Sequence, residues 1–166
     1  MKKSALASSK QNVYASLFIV ASLFVFYPDL FLAQSASLMG DHWEQHYPWA
    51  FLLDGYVKNF KLPFWTTAIH SGFPIAAEGQ IGVFYLPNLL LHFLLPLNWA
   101  YSYRNVLHFA LSGIATFFYG RQMGLRLPGA LISALIFIFG SAYGGAFYNI
   151  TSLETIAWFP LSLLFF

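Results

Sequence analysis

The sequence predicts an all-α fold: a polytopic transmembrane helical bundle with a long first external loop that contains juxtamembrane amphipathic helices. Three observations carry this expectation. The chain is 58% hydrophobic and only 8% charged, where an ordinary soluble domain carries about a quarter charged residues. Its apolar residues gather in runs near the roughly 20 residues that a helix needs to cross a bilayer. Its acids and bases also lie on different segments, as they do when a membrane separates them.

Residues 1–12 form an expected cytoplasmic N-terminus bearing Lys2, Lys3 and Lys10. Residues 13–33 are the first expected span, interrupted only by Pro28 and Asp29 near its end. A cleaved signal peptide is the competing reading, with Ala33-Gln34-Ser35 as a tolerable cleavage site. The run is long for a signal sequence, which favours a retained helix.

Residues 34–101 read as an external loop, mixed in character and rich in Pro, Gly and Trp. Within it Ile81 to Leu97 is apolar, but Pro87, Asn88, His92 and Pro96 cut it into pieces too short to span. A short amphipathic helix at the interface suits that stretch better.

A second span is expected over 102–120, with Arg104, Asn105 and His108 at its start. A cytoplasmic loop (121–127) and a third span (128–147) follow. Gly140, Gly144 and Gly145 there offer close packing to a neighbouring helix. Residues 148–154 are expected as a short external loop, and 155–166 as the start of a fourth span. That run stops after about a dozen of the roughly 20 residues required, so the chain reads as the N-terminal fragment of a longer protein.

The charges agree with this layout. If residues 81–97 do not cross, the cytoplasmic segments hold Lys2, Lys3, Lys10, Arg121 and Arg126 and no acid. The acids Asp29, Asp41, Glu44, Asp54, Glu78 and Glu154 all fall outside or near the outer interface. Crossing by 81–97 would put both arginines outside, against the positive-inside bias.

Residues able to do chemistry concentrate in the external loop. In Gly40-Asp41-His42-Trp43-Glu44-Gln45-His46, helical geometry would set Asp41, Glu44 and Gln45 on one face. A carboxylate there can act as a general base toward a hydroxyl, or can hold a divalent cation, with Asp41 the first choice of ligand. Asp41 followed by Glu44 also fits a capping-box variant for a helix starting at His42. His42 and His46 share the i, i+4 spacing of many metal sites, but no third ligand is evident.

Lys58 and Lys61, flanked by Phe60, Phe64 and Trp65, suit an anionic lipid head group at the water boundary, or ordinary snorkelling. Glu78 is a second carboxylate for the site or a solvated loop residue. Arg104 can pair with phosphate or with one of the acids. Asn149-Ile150-Thr151 matches a glycosylation sequon weakly.

Several classes are excluded or unsupported. The chain has no cysteine, which rules out disulfides, thiolate zinc sites and cysteine nucleophiles. A net charge of +2 gives no reason to expect a nucleic-acid partner. No phosphate-binding glycine loop and no nucleophile elbow occurs.

The order of short motifs, from Gly40-Asp41-His42-Trp43-Glu44-Gln45-His46-Tyr47-Pro48 through Lys61-Leu62-Pro63-Phe64-Trp65 and Gly72-Phe73-Pro74 to Phe84-Tyr85-Leu86-Pro87-Asn88-Leu89-Leu90, resembles the N-terminal part of bacterial YfhO-like membrane proteins. These are similar to the C-type glycosyltransferases, the GT-C superfamily, which draw sugars from polyprenyl-phosphate donors. The resemblance runs through essentially the whole chain. It implies a catalytic or acceptor-side acid just after the first helix, which maps onto Asp41, with Glu44 and Gln45 at neighbouring positions.

The expected activity is transfer of a sugar from a polyprenyl-phosphate donor to a cell-envelope glycan or lipid on the external face of the cell membrane. Asp41 and Glu44 would be catalytic, and Gln45, Lys58, Lys61, Glu78 and Arg104 would bind substrate. Two other classes are weighed against it. A transporter or lipid flippase would place ionisable residues within the spans. A non-catalytic membrane subunit would use the loop only to bind a partner.

Overall fold

The computed structural model describes residues 9–33, 40–140 and 149–166. Lys2, Lys3, Gln34, Ser35, Gly144 and Gly145, on which some expectations rest, lie outside these residues. The described residues are all-helical: their regular structure is helix, and the one β-type pairing is an isolated bridge between Thr66 and Phe73. The chain divides into two compact units, residues 1–28 with 105–166, and residues 29–104.

The first unit begins with α1, Ser9–Phe26. Its buried residues Ala15, Ile19 and Leu23 recur every fourth position and form one stripe. The apolar run does not continue as one helix. It stops before Pro28, which lacks an N–H and disfavours helical geometry in the residue ahead of it. A four-residue helix, α2 (Pro28–Phe31), follows.

α5 (Leu97–Gln122) runs from the second unit into the first. At 26 residues it is about 39 Å long, and it starts directly behind Pro96. Its C-terminus closes in a Schellman turn. Gly124 takes φ +91°, its N–H bonds Arg121 O at 3.1 Å, and the Leu125 N–H bonds Gly120 O at 3.0 Å. Arg121 Nη1 adds a bond to Leu125 O at 2.8 Å. Pro128 then lies in the first turn of α6, Leu127–Phe139.

α6 buries Ala130, Ala134 and Ile138, again at every fourth residue. Phe139 packs with the Phe26 ring at 4.4 Å between centroids. Small residues permit close approach: a Cβ at Gly113 would stand 2.8 Å from Ile19 Cγ2 and 3.1 Å from Ile138 Cγ2.

The last helix, α7 (Ile150–Leu163), begins five residues ahead of the expected start at 155. The reason is local. Asn149 has extended backbone geometry, and its side chain accepts a hydrogen bond from Ser152 N at 3.1 Å, so the sequon-like Asn149 is a helix N-cap.

The second unit supplies the site. A π-helical turn, His42–His46, leads into α3, Tyr47–Lys58, whose Pro48 sits in the first turn. An irregular segment with a short 3-10 turn, Ile75–Ala77, returns the chain to α4, Leu86–Leu94. α4 has nine residues, a length of about 14 Å against a hydrocarbon core of about 30 Å. The core of this unit is Leu53, Ile75, Ile81 and Val83, with Trp49 and Leu89 packed against it.

No helix among the described residues is both long and apolar enough to cross a membrane. The long helix α5 carries Arg104, Asn105, His108 and Arg121, while the most apolar helix, α6, has only 13 residues.

Candidate functional site

The π-helical turn presents Asp41 and Glu44 at the exposed surface. Asp41 does not cap it. Its backbone is already helical (φ −57°, ψ −26°) and its side chain makes no capping bond, whereas a capping residue needs extended geometry to turn its oxygen back to the N–H groups. The capping-box reading of Asp41 and Glu44 is therefore corrected. The wider π turn also alters the spacing assumed for an α-helical face, and such turns recur at functional sites.

Gln45 is half-buried and donates through Nε2 to Gln80 Oε1 at 3.3 Å. Gln80 N in turn donates to Glu78 Oε1 at 3.2 Å. Two of the expected site residues, Gln45 and Glu78, thus meet through Gln80, which the sequence did not single out. Behind them His42 Nδ1 shares a buried 2.7 Å hydrogen bond with the Tyr101 hydroxyl. The exposed Trp43 projects from the same turn.

The expected cations differ in state. Lys58 Nζ lies 2.8 Å from each oxygen of Asp54, an i, i+4 pair on α3. Lys61 is exposed, and no carboxylate among the described residues lies within salt-bridge reach of it. Lys61 lines both a cleft of about 320 Å³, shared with Asp54, Asn59, Phe51 and Leu52, and an apolar groove of about 410 Å³. Arg104 is not presented to solvent: it is 2% exposed. Its guanidinium lies near Asn88 beside Gly82, which holds φ +72° and leaves the room a side chain would take.

A further pair was missed by reading the sequence. His92 is fully buried on α4, and its Nδ1 lies 3.1 Å from Asp54 Oδ1. Burial pushes the His92 pKa down. The hydrogen bond and charge of Asp54 oppose this, while Arg104 and Lys58 act in the same direction as burial. A neutral imidazole facing a carboxylate carries its proton on Nδ1 and donates it, leaving Nε2 buried with no hydrogen-bond partner. The available signal was the pair of polar residues at 88 and 92, one helical turn apart in an apolar helix.

Among the described residues no three His, Asp or Glu side chains converge to hold a metal ion. His42 and His46 pack edge to face with ring centroids 5.9 Å apart, and Nδ1 of His42 is taken by Tyr101. Asp41, on the exposed turn, belongs to no such group of three among the described residues.

No protein-family model, curated protein or solved structure matches the chain.

Proposed function

We propose that the chain is part of a membrane-embedded, GT-C-like glycosyltransferase that takes a sugar from a polyprenyl-phosphate donor and delivers it to a cell-envelope acceptor outside the cell membrane. The observation that carries this reading is the polar cluster on the second unit. Exposed Asp41 and Glu44 stand on the same turn as Gln45, which is joined to Glu78 through Gln80. Gln45 and Gln80 come from distant chain segments, and amides and carboxylates have the donor and acceptor capacity that sugar hydroxyls require.

The chemistry assigned to Asp41 balances as a displacement. Its carboxylate takes the proton of an acceptor hydroxyl as that oxygen attacks the anomeric carbon. The bond from that carbon to the phosphate oxygen breaks, and the phosphate leaves with the electron pair. Of the three expected substrate-binding cations, Lys58 is exposed but paired with Asp54, Arg104 is buried, and Lys61 is exposed with no carboxylate within reach among the described residues.

The polytopic reading is supported by the outward apolar side chains of the first unit. Leu17, Phe18 and Val25 on α1 and Ile132 and Ile136 on α6 are each at least half exposed. Large exposed apolar faces are costly in water and stable in lipid.

A transporter or lipid flippase is the second reading. The fully or nearly buried His108 on α5 and Glu154 on α7 favour it, since ionisable groups inside a helical bundle mark pathways.

Asp41→Asn in proteoliposomes supplied with a polyprenyl-phosphate hexose tests the first reading. The expected result is a loss of sugar transfer of roughly 100-fold or more, the usual worth of a general base. Unchanged transfer would count for a scaffold, and retained lipid translocation without any transfer would count for the flippase.

A further inference from the structure

The end of α3 breaks a local rule. It closes in a Schellman turn, with Phe60 N bonded to Val57 O at 3.1 Å and Lys61 N to Tyr56 O at 2.9 Å. The left-handed position of such a turn is ordinarily glycine, as Gly124 is at the end of α5. Here it is Phe60, at φ +53°. A bulky side chain in that region is strained, and strain of this kind gathers at functional sites. Phe60 gains little burial in return, being 84% exposed, although its ring meets Phe93 edge to face at 5.6 Å.

The strained turn forms one wall of the apolar groove. Leu62, Pro63, Val83, Phe84 and Leu90 complete much of the lining, and Lys61 is the one charged residue among those that line it. Phe84 is 71% exposed and Leu62 is 66% exposed. The groove thus combines an apolar lining with one exposed cation and no acid among the residues that line it.

We propose that this groove holds one acyl chain of an anionic phospholipid of the bilayer, with the lipid phosphate on Lys61 Nζ. Its volume of about 410 Å³ equals that of roughly fourteen liquid waters at about 30 Å³ each. A methylene is close to a water in size, so the groove has room for most of one acyl chain. Burial of the chain supplies the affinity and the ammonium selects the anionic head. The exposed rings of Phe60 and Phe84 then enter the head-group boundary, which seats the second unit on the bilayer. The proposal rests on the reading that this unit lies at a membrane surface.

Two nitroxide labels on the protein in bilayers test both statements separately, and these 166 residues bring no competing cysteine. One is placed at Phe84→Cys and one at Ile136→Cys on α6, where Ile136 is 67% exposed. The expected result is a several-fold higher ratio of oxygen to nickel-chelate collisions at 84 in phosphatidylglycerol bilayers than in phosphatidylcholine bilayers. That rise should vanish in Lys61→Glu and shrink in Phe60→Gly, whose thermal midpoints report that the fold persists. Water access at 84 with lipid access at 136 overturns the lipid groove and leaves the membrane reading standing. Water access at both positions overturns both. A label at 84 shielded from both reagents means that protein fills the groove, which also overturns the proposal.

Discussion

The imidazole of His92 and the carboxylate of Asp54, 38 residues apart, meet at 3.1 Å and hold α4 against α3. Asp54 also receives Lys58 at 2.8 Å, so one carboxylate joins a fully buried neutral ring to a surface ammonium.

This pair makes folding sensitive to pH. The native pKa of His92 lies below its unfolded value of 6.5, chiefly through burial. Above pH 6.5 both states are neutral at this residue and it adds no pH dependence. As pH falls below 6.5 the unfolded chain takes up a proton that the native ring resists, so stability falls and continues to fall until the native pKa is reached. Denaturant midpoints from pH 8 to pH 5 should drop more for the wild type than for His92→Gln. Parallel curves would contradict the assignment.

Tyr101→Phe removes the buried partner of His42 without changing the ring that packs beside it. The expected cost is about 1–3 kcal/mol, the penalty of an unsatisfied buried polar atom. Thermal unfolding in detergent measures it. A loss no larger than that of a surface Tyr→Phe control would show that His42 finds another partner.

Gly113 leaves no room for a side chain between Ile19 and Ile138. Both neighbours are β-branched and stiff, so Gly113→Ala should destabilise by about 1–3 kcal/mol through overpacking. Adding Ile19→Ala should recover part of that loss, a coupling readable from a double-mutant cycle. Simple additivity of the two changes would argue against contact.

Phe60→Gly places the favoured residue in the left-handed position at the end of α3. Because Phe60 is largely exposed, relief of strain should exceed the lost ring contact and raise stability by up to about 1 kcal/mol. A clear decrease in the unfolding midpoint would mean that the turn is held by the ring itself.

Asn149→Ala should cost about 1 kcal/mol by removing the cap of α7. Hydrogen exchange at Ser152 reports it directly, since that amide loses its acceptor. Unchanged protection there would mean that the amide is held by something else.

Some of this architecture was legible because its causes are local. Pro48, Pro87 and Pro128 open helices α3, α4 and α6, and Pro28 and Pro96 flank breaks that follow from a missing N–H. The start of α7 was also written locally, in Asn149, but the match to a sequon drew attention from the cap. The apolar composition by itself set an all-helical expectation, since few other folds suit so many long apolar runs.

The sequence could not decide which polar residues meet. His92 looked like an interruption in an apolar stretch, and Arg104 like a residue at the start of a span, until the fold buried both. Gln45 and Gln80 lie 35 residues apart, and nothing in either neighbourhood encodes the other. Asp41 had every local mark of a cap, yet the backbone around it took a π-helical turn that gives a cap no role. Backbone preferences act over a few residues and survive in any context, so they can be read in one dimension. Burial, charge pairing and pKa depend on which distant segments share a small volume, and only tertiary packing sets that.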